Sequence, residues 1–160
     1  MKSTIEQTTI KIIDILKERN QTITFAESCT GGRIAAAFTA VSGASNVLNG
    51  SCVTYSNEIK SEWLGVSETT LIQYGAVSYA CVEEMLVGIL KMAHADYAIA
   101  VSGIAGPTGG TADKPVGTVY IGVQQKDEPP MIQHYLFKGD RAAVQEQATE
   151  TAIRFLRKNL

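Results

Sequence analysis

The sequence predicts the α/β class: a three-layer α/β/α sandwich with a mixed β-sheet. Three observations lead there. Helical and strand-like stretches alternate through the first two thirds of the chain. Tyr97–Val101 is a continuous apolar run, the pattern of a strand covered on both faces. Finally, two β-prone runs, Gly117–Gln124 and Met131–Phe137, flank a Lys126–Pro130 turn, adding an antiparallel hairpin to the sheet before a last helix.

In chain order, Ser3 and Glu6 form a capping-box pattern, and Ile5, Ile12, Ile13 and Leu16 then recur at helical spacing to about Arg19. A strand is expected at Thr22–Ala26 and a helix at Arg33–Ala40, stopping at the turn Ser42-Gly43-Ala44-Ser45. Ser51–Tyr55 alternates toward a strand, and Ser56-Asn57 caps a helix over Glu58–Leu64. Ser67 or Glu68 opens a short helical stretch ending before Gly75. Ser78 caps Tyr79–Met92, with Val82, Met85, Leu86 and Ile89 as its apolar positions. Ser102–Pro115 holds four glycines and two prolines and is long for a plain connection, which predicts a functional loop. Asp140 caps the last helix, about Arg141–Leu156.

At 160 residues the chain is expected to form one domain over 1–160. Hydrophobic residues make up 45% and charged residues 19%, as in an ordinary soluble globule. The net charge is −2 with no run of Lys or Arg, which argues against a nucleic-acid partner. No apolar segment has the length of a membrane span, and Met1–Asn20 does not read as a signal peptide. Cys29, Cys52 and Cys81 are odd in number and lack CxxC spacing, so free thiols in a reducing, cytoplasmic compartment are expected. His94 and His134 are isolated, so no metal site is expected.

Chemistry is expected at Thr24–Arg33. There a β-prone run ends at Glu27 and Ser28, a turn of small residues follows, and an Ala-rich helix begins. A strand ending where a helix begins places polar side chains and unpaired N–H groups at one sheet edge. Five stretches in order then carry a resemblance. They are Ala26-Glu27-Ser28-Cys29-Thr30-Gly31-Gly32; Val53-Thr54-Tyr55-Ser56-Asn57-Glu58 with Lys60; and Gly75-Ala76-Val77-Ser78. The fourth is Ser102-Gly103-Ile104-Ala105-Gly106-Pro107 followed by Lys114-Pro115-Val116-Gly117-Thr118-Val119, and the fifth is Phe137-Lys138-Gly139-Asp140-Arg141. Together they resemble the CinA C-terminal domain family, whose stand-alone members are nicotinamide-nucleotide amidases. The resemblance implies a deamidase that converts nicotinamide mononucleotide and water to nicotinic acid mononucleotide and ammonia. It further implies no metal, no cofactor and a homodimer.

The residue types suit that reaction. An amide is a poor electrophile, and its cleavage needs a nucleophile, a proton carrier and donors for the oxyanion. Ser28 is the candidate nucleophile, against the plainer role of a helix cap, and the N–H groups of Thr30, Gly31 and Gly32 are candidate oxyanion donors. Lys60 is the candidate base, a role that requires desolvation or a nearby cation to keep it neutral. Tyr55, at the end of its expected strand, would orient Lys60 or relay a proton, or else be a half-buried strand tyrosine. Cys29 reads as a small packing residue.

For substrate binding, Glu27 would face the cationic pyridinium, pair with an arginine, or hold the turn. Asn57 belongs to the matched motif that carries Lys60. Ser102, Gly103 and Gly106 resemble a phosphate or ribose cradle, with a structural turn as the alternative. Arg141 would contact a phosphate or pair with a surface acid, while Gln145 stands where the family pattern often carries a further arginine. The small-molecule partner that the resemblance implies is a nucleotide. Two rival readings are a non-catalytic nucleotide-binding or dimerisation module, and an amidase for another small amide.

Overall fold

The computed structural model describes residues 1–160. Its six α-helices are α1 (Thr4–Glu18), α2 (Arg33–Thr39), α3 (Asn57–Leu64), α4 (Glu68–Gln73), α5 (Tyr79–Ala93) and α6 (Arg141–Lys158). Five open on a side-chain cap: Ser3, Ser56, Ser67, Ser78 and Asp140 accept from the N–H groups of Glu6, Ile59, Thr70, Cys81 and Ala143. α2 has Gly32 at its cap position and no capping side chain there.

The strands are β1 (Ile23–Glu27), β2 (Cys52–Val53), β3 (Tyr97–Gly103), β4 (Thr118–Gln125) and β5 (Met131–Leu136), in the sheet order β2-β1-β3-β4-β5. β1 pairs in parallel with β2 and β3, while β4 joins β3 and β5 antiparallel. The mixed sheet is thus a parallel half extended by a hairpin.

Side chains alternate across the sheet. Ile23, Phe25, Tyr97, Ile99 and Val101 belong to the core shared with α1, α2 and α6. Ala26, Ala98 and Ala100 pack on the opposite side with Val82, Met85 and Leu86 of α5. The Ile12/Ile13/Leu16 and Val82/Leu86/Ile89 stripes are all buried, so they furnish core and not a dimer surface.

Three elements differ from those expected by two residues or more at one end, the others by one at most. β2 is two residues long instead of spanning Ser51–Tyr55. Beyond Val53 the chain turns inward, and the carbonyls of Thr54 and Tyr55 accept hydrogen bonds from a side chain in place of a neighbouring strand. β3 continues to Gly103, because β4 pairs with it down to Val119. α6 reaches Lys158, two residues past the expected end. The chain leaves β1 toward α2 on one face and β2 toward α3 on the other, which opens a crevice at their carboxyl ends.

Candidate active site

Ser28 is the first residue past β1, anchored by its N–H to the carbonyl of Val101 at 3.1 Å. Continuing the strand alternation, Glu27 falls on the α2 side and Ser28 on the α3 side. Lys60, in the second turn of α3, reaches down onto it, with Nζ 3.1 Å from Ser28 Oγ. The residues are 32 apart in sequence, and both are buried: Ser28 is 7% exposed and Lys60 1%.

Three acceptors surround Lys60 Nζ: Ser28 Oγ, the Thr54 carbonyl at 2.8 Å and the Tyr55 carbonyl at 3.2 Å. No carboxylate pairs with it, since the one ion pair of the chain is Arg154–Glu150. Burial therefore pushes its pKa below the ordinary lysine value, against smaller upward pulls from Cys81 and Cys29. As an ammonium Lys60 donates to all three; as a neutral amine it donates to the two carbonyls and leaves its lone pair for the Ser28 hydroxyl proton. Cys29 is no rival nucleophile, because burial pushes its thiol up to about 12.

Glu27 turns its carboxylate into the loop that follows β1. It is 1% exposed, and its Oε1 accepts from Thr30 Oγ1 (2.7 Å), Gly32 N (3.2 Å) and Ile34 N (3.0 Å), while Oε2 accepts from Ala35 N (3.0 Å). It thereby supplies the cap that α2 lacks at Gly32. Two of the three expected oxyanion donors are consequently occupied: Gly32 N–H by Glu27, and Gly31 N–H by the Ser28 carbonyl at 3.0 Å. The N–H groups of Thr30 and Cys29 donate to no group of the chain.

Tyr55 meets Lys60 through its carbonyl, while its phenol lies against Arg141. The residue is 56% exposed, two positions past β2, and its hydroxyl accepts from Arg141 Nη2 at 2.7 Å. Arg141 also donates through Nη1 to the Gly106 carbonyl at 2.7 Å, tying α6 to both loops at the mouth. Asn57 is exposed at the start of α3. Ser102 is buried within β3, and Gly103 ends that strand opposite Val119, so both belong to the sheet and not to an open cradle. The N–H groups of Ala105 and Gly106 have no acceptor in the chain. Beside them Ala105, Pro107, Val116, Arg141 and Gln145 line an open cleft of about 610 Å3.

Two contributors were not anticipated. The Thr54 carbonyl orients Lys60, and only the early end of β2 frees it. Gln145 donates through Nε2 to the Cys29 carbonyl at 3.1 Å, bracing the turn after β1 from α6. Its place in the helix, four residues after Arg141, was the available signal. No group of three His, Cys, Asp or Glu side chains is arranged to hold a metal ion.

The chain is similar to known proteins over nearly its whole length. The model of the family described as CinA C-terminal domain matches residues 5–160. The nicotinamide-nucleotide amidohydrolase PncC of Enterobacter agglomerans is 49% identical over 159 residues, covering 97% of both chains. A CinA-like protein of Thermotoga neapolitana is 46% identical over 149 residues, which is 93% of this chain but 36% of that protein; the chain thus spans about a third of the length of this relative. Among solved structures, the competence/damage inducible protein CihA from Agrobacterium tumefaciens superposes with a TM-score of 0.94 at 36% identity, covering 98% of this chain and 95% of that one.

Proposed function

The chain belongs to the CinA C-terminal domain family, and from that premise we propose that it hydrolyses the carboxamide of nicotinamide mononucleotide to nicotinic acid mononucleotide and ammonia. The observation that carries the reading is the buried contact between Ser28 Oγ and Lys60 Nζ, 3.1 Å long and free of any carboxylate. Neutral Lys60 takes the Ser28 proton as Oγ attacks the amide carbon. The N–H groups of Cys29 and Thr30 are the free donors for the oxyanion. Collapse breaks the C–N bond, and the Lys60 ammonium returns the proton to the departing nitrogen, releasing ammonia. Water then attacks the acyl-serine with Lys60 again as base, freeing the carboxylate and Ser28.

Arg141 and the Ala105 and Gly106 amides form the phosphate end of the site, and Ser102 and Gly103 support that loop from within the sheet. The same reading includes homodimerisation through the exposed apolar side chains of Trp63, Ile72, Tyr74 and Tyr79, and a cytoplasmic location, which suits three free thiols.

Ammonia release from nicotinamide mononucleotide, measured beside free nicotinamide and glutamine, tests the proposal. Release specific to the mononucleotide is expected, with Ser28→Ala reducing kcat at least ~10³-fold while circular dichroism stays unchanged. Nucleotide binding without ammonia would instead assign a non-catalytic module, and a fully active Ser28→Ala protein would remove the serine from the mechanism.

A further inference from the structure

We infer that Glu27 is a positioning residue for the nucleophile: its buried carboxylate, clasping the Thr30 hydroxyl and the amides of Gly32, Ile34 and Ala35, holds the 28–32 turn in the shape that presents Ser28 to Lys60. The inference rests on Ser28 being the nucleophile. A carboxylate one residue before the nucleophile, in a site proposed for a pyridinium substrate, invites assignment as the group that reads the positive ring. The geometry points elsewhere. Glu27 is 1% exposed, and its oxygens accept four hydrogen bonds, all from residues 30 to 35.

The other bonds to the turn reach its backbone carbonyls, at Ser28, Cys29 and Thr30, and only Glu27 gathers the Gly32 amide and the Thr30 hydroxyl. Gly31 and Gly32 both adopt positive φ, at 59° and 98°. Glycine at such positions leaves many conformations open to the unfolded and locally opened chain. α2 is seven residues long and lacks a capping side chain at Gly32; Arg33 N–H reaches the Thr30 carbonyl, and the amides of Gly32, Ile34 and Ala35 have Glu27 as their partner. One carboxylate takes three of those N–H groups together with a hydroxyl from the middle of the turn. Charge-assisted bonds of this kind are the stronger ones. Strand alternation makes the arrangement possible. Glu27, the last residue of β1, points toward α2, so that Ser28 turns toward α3 and Lys60.

Glu27→Gln tests this directly, since the amide keeps the shape but sets an NH2 group against one of the backbone donors. With the mononucleotide as substrate, kcat is expected to fall roughly 10- to 100-fold, as for a nucleophile displaced by about an ångström, while KM stays within about twofold. Backbone amide hydrogen exchange in the 29–35 segment of the ligand-free protein is expected to quicken. Thr30→Val removes one of the four donors and is expected to lower kcat less than Glu27→Gln, and Thr30→Ser, which keeps the hydroxyl, to restore it. A raised KM with unchanged kcat would make Glu27 a substrate-reading residue and overturn the inference. So would a folded Glu27→Gln protein with wild-type kcat and exchange. Should Glu27→Gln fail to fold, equal kcat for Thr30→Val and Thr30→Ser would overturn it. The exchange experiment needs no turnover. A wild-type protein that hydrolyses no carboxamide would therefore remove the proposed function, while exchange would still decide whether Glu27 holds the turn.

Discussion

Lys60 carries a tension that can be read in both activity and stability. Its amine is buried against two carbonyls and a hydroxyl with no counter-ion, and its pKa is depressed by that burial. In the proposed mechanism the neutral form is the base, so kcat/KM is expected to rise with pH through a midpoint below the ordinary lysine value. The midpoint belongs on the acidic limb of a pH–rate profile. Stability follows the same sign. Between the depressed folded value and the ordinary unfolded one, the unfolded chain binds the extra proton, so stability increases as pH rises across that window. Lys60→Met removes both effects. Urea titrations over a pH series should show it losing the alkaline gain in stability while also losing activity. The chemistry of these residues was legible in the sequence only in part. Serine, lysine and glutamate stand in stretches that resemble a known family, but the partner of Ser28 lies 32 residues away, and no local pattern gives that distance. The facing of Glu27 was available from the alternation of Ile23, Phe25 and Glu27, all odd positions on the α2 side.

At the scale of elements, the site depends on how closely α3 approaches α5. Gly88 of α5 lies against the backbone of Leu64, the last residue of α3, and a Cβ there would overlap the Leu64 carbonyl group. Gly88→Ala must push the two helices apart. The expected cost is about 1–3 kcal/mol of stability, seen as a lower urea midpoint. Lys60 rides on α3 and would lift from Ser28, so kcat is expected to drop along with it. Glycine within a helical pattern otherwise lowers helix propensity without showing a reason, and the sequence offers no way to tell close packing from tolerance. Helix starts were legible because Ser3, Ser56, Ser67, Ser78 and Asp140 each cap the helix that follows. Strand ends were less so. Where β2 stops is set by the carbonyls that Lys60 draws away from the sheet, a contact between elements and not a property of residues 51 to 55.

Across the whole molecule, the site gathers the ends of β1, β2 and β3 under the start of α6, so the last helix closes what the first half of the chain builds. The α/β/α class was legible from periodicity and from the apolar run in β3. The order β2-β1-β3-β4-β5 was not, because strand neighbours are chosen by packing between distant segments. Arg141 is the clearest expression of that closure, bonding the Gly106 carbonyl and the Tyr55 hydroxyl from the first turn of α6. No carboxylate neutralises it, since Arg154–Glu150 is the only ion pair in the chain. Its charge is consequently available to an anion entering the cleft between the β3–β4 loop and α6. Arg141→Ala is expected to raise KM for the mononucleotide about 10- to 100-fold, the range of a lost hydrogen bond to a charged group. It should leave KM for the corresponding nucleoside, which has no phosphate, within about twofold. Steady-state kinetics on the two substrates separates the possibilities. A loss confined to the nucleotide places the phosphate at Arg141, whereas an equal loss on both makes the arginine a brace for the loops around Ser28 and Lys60.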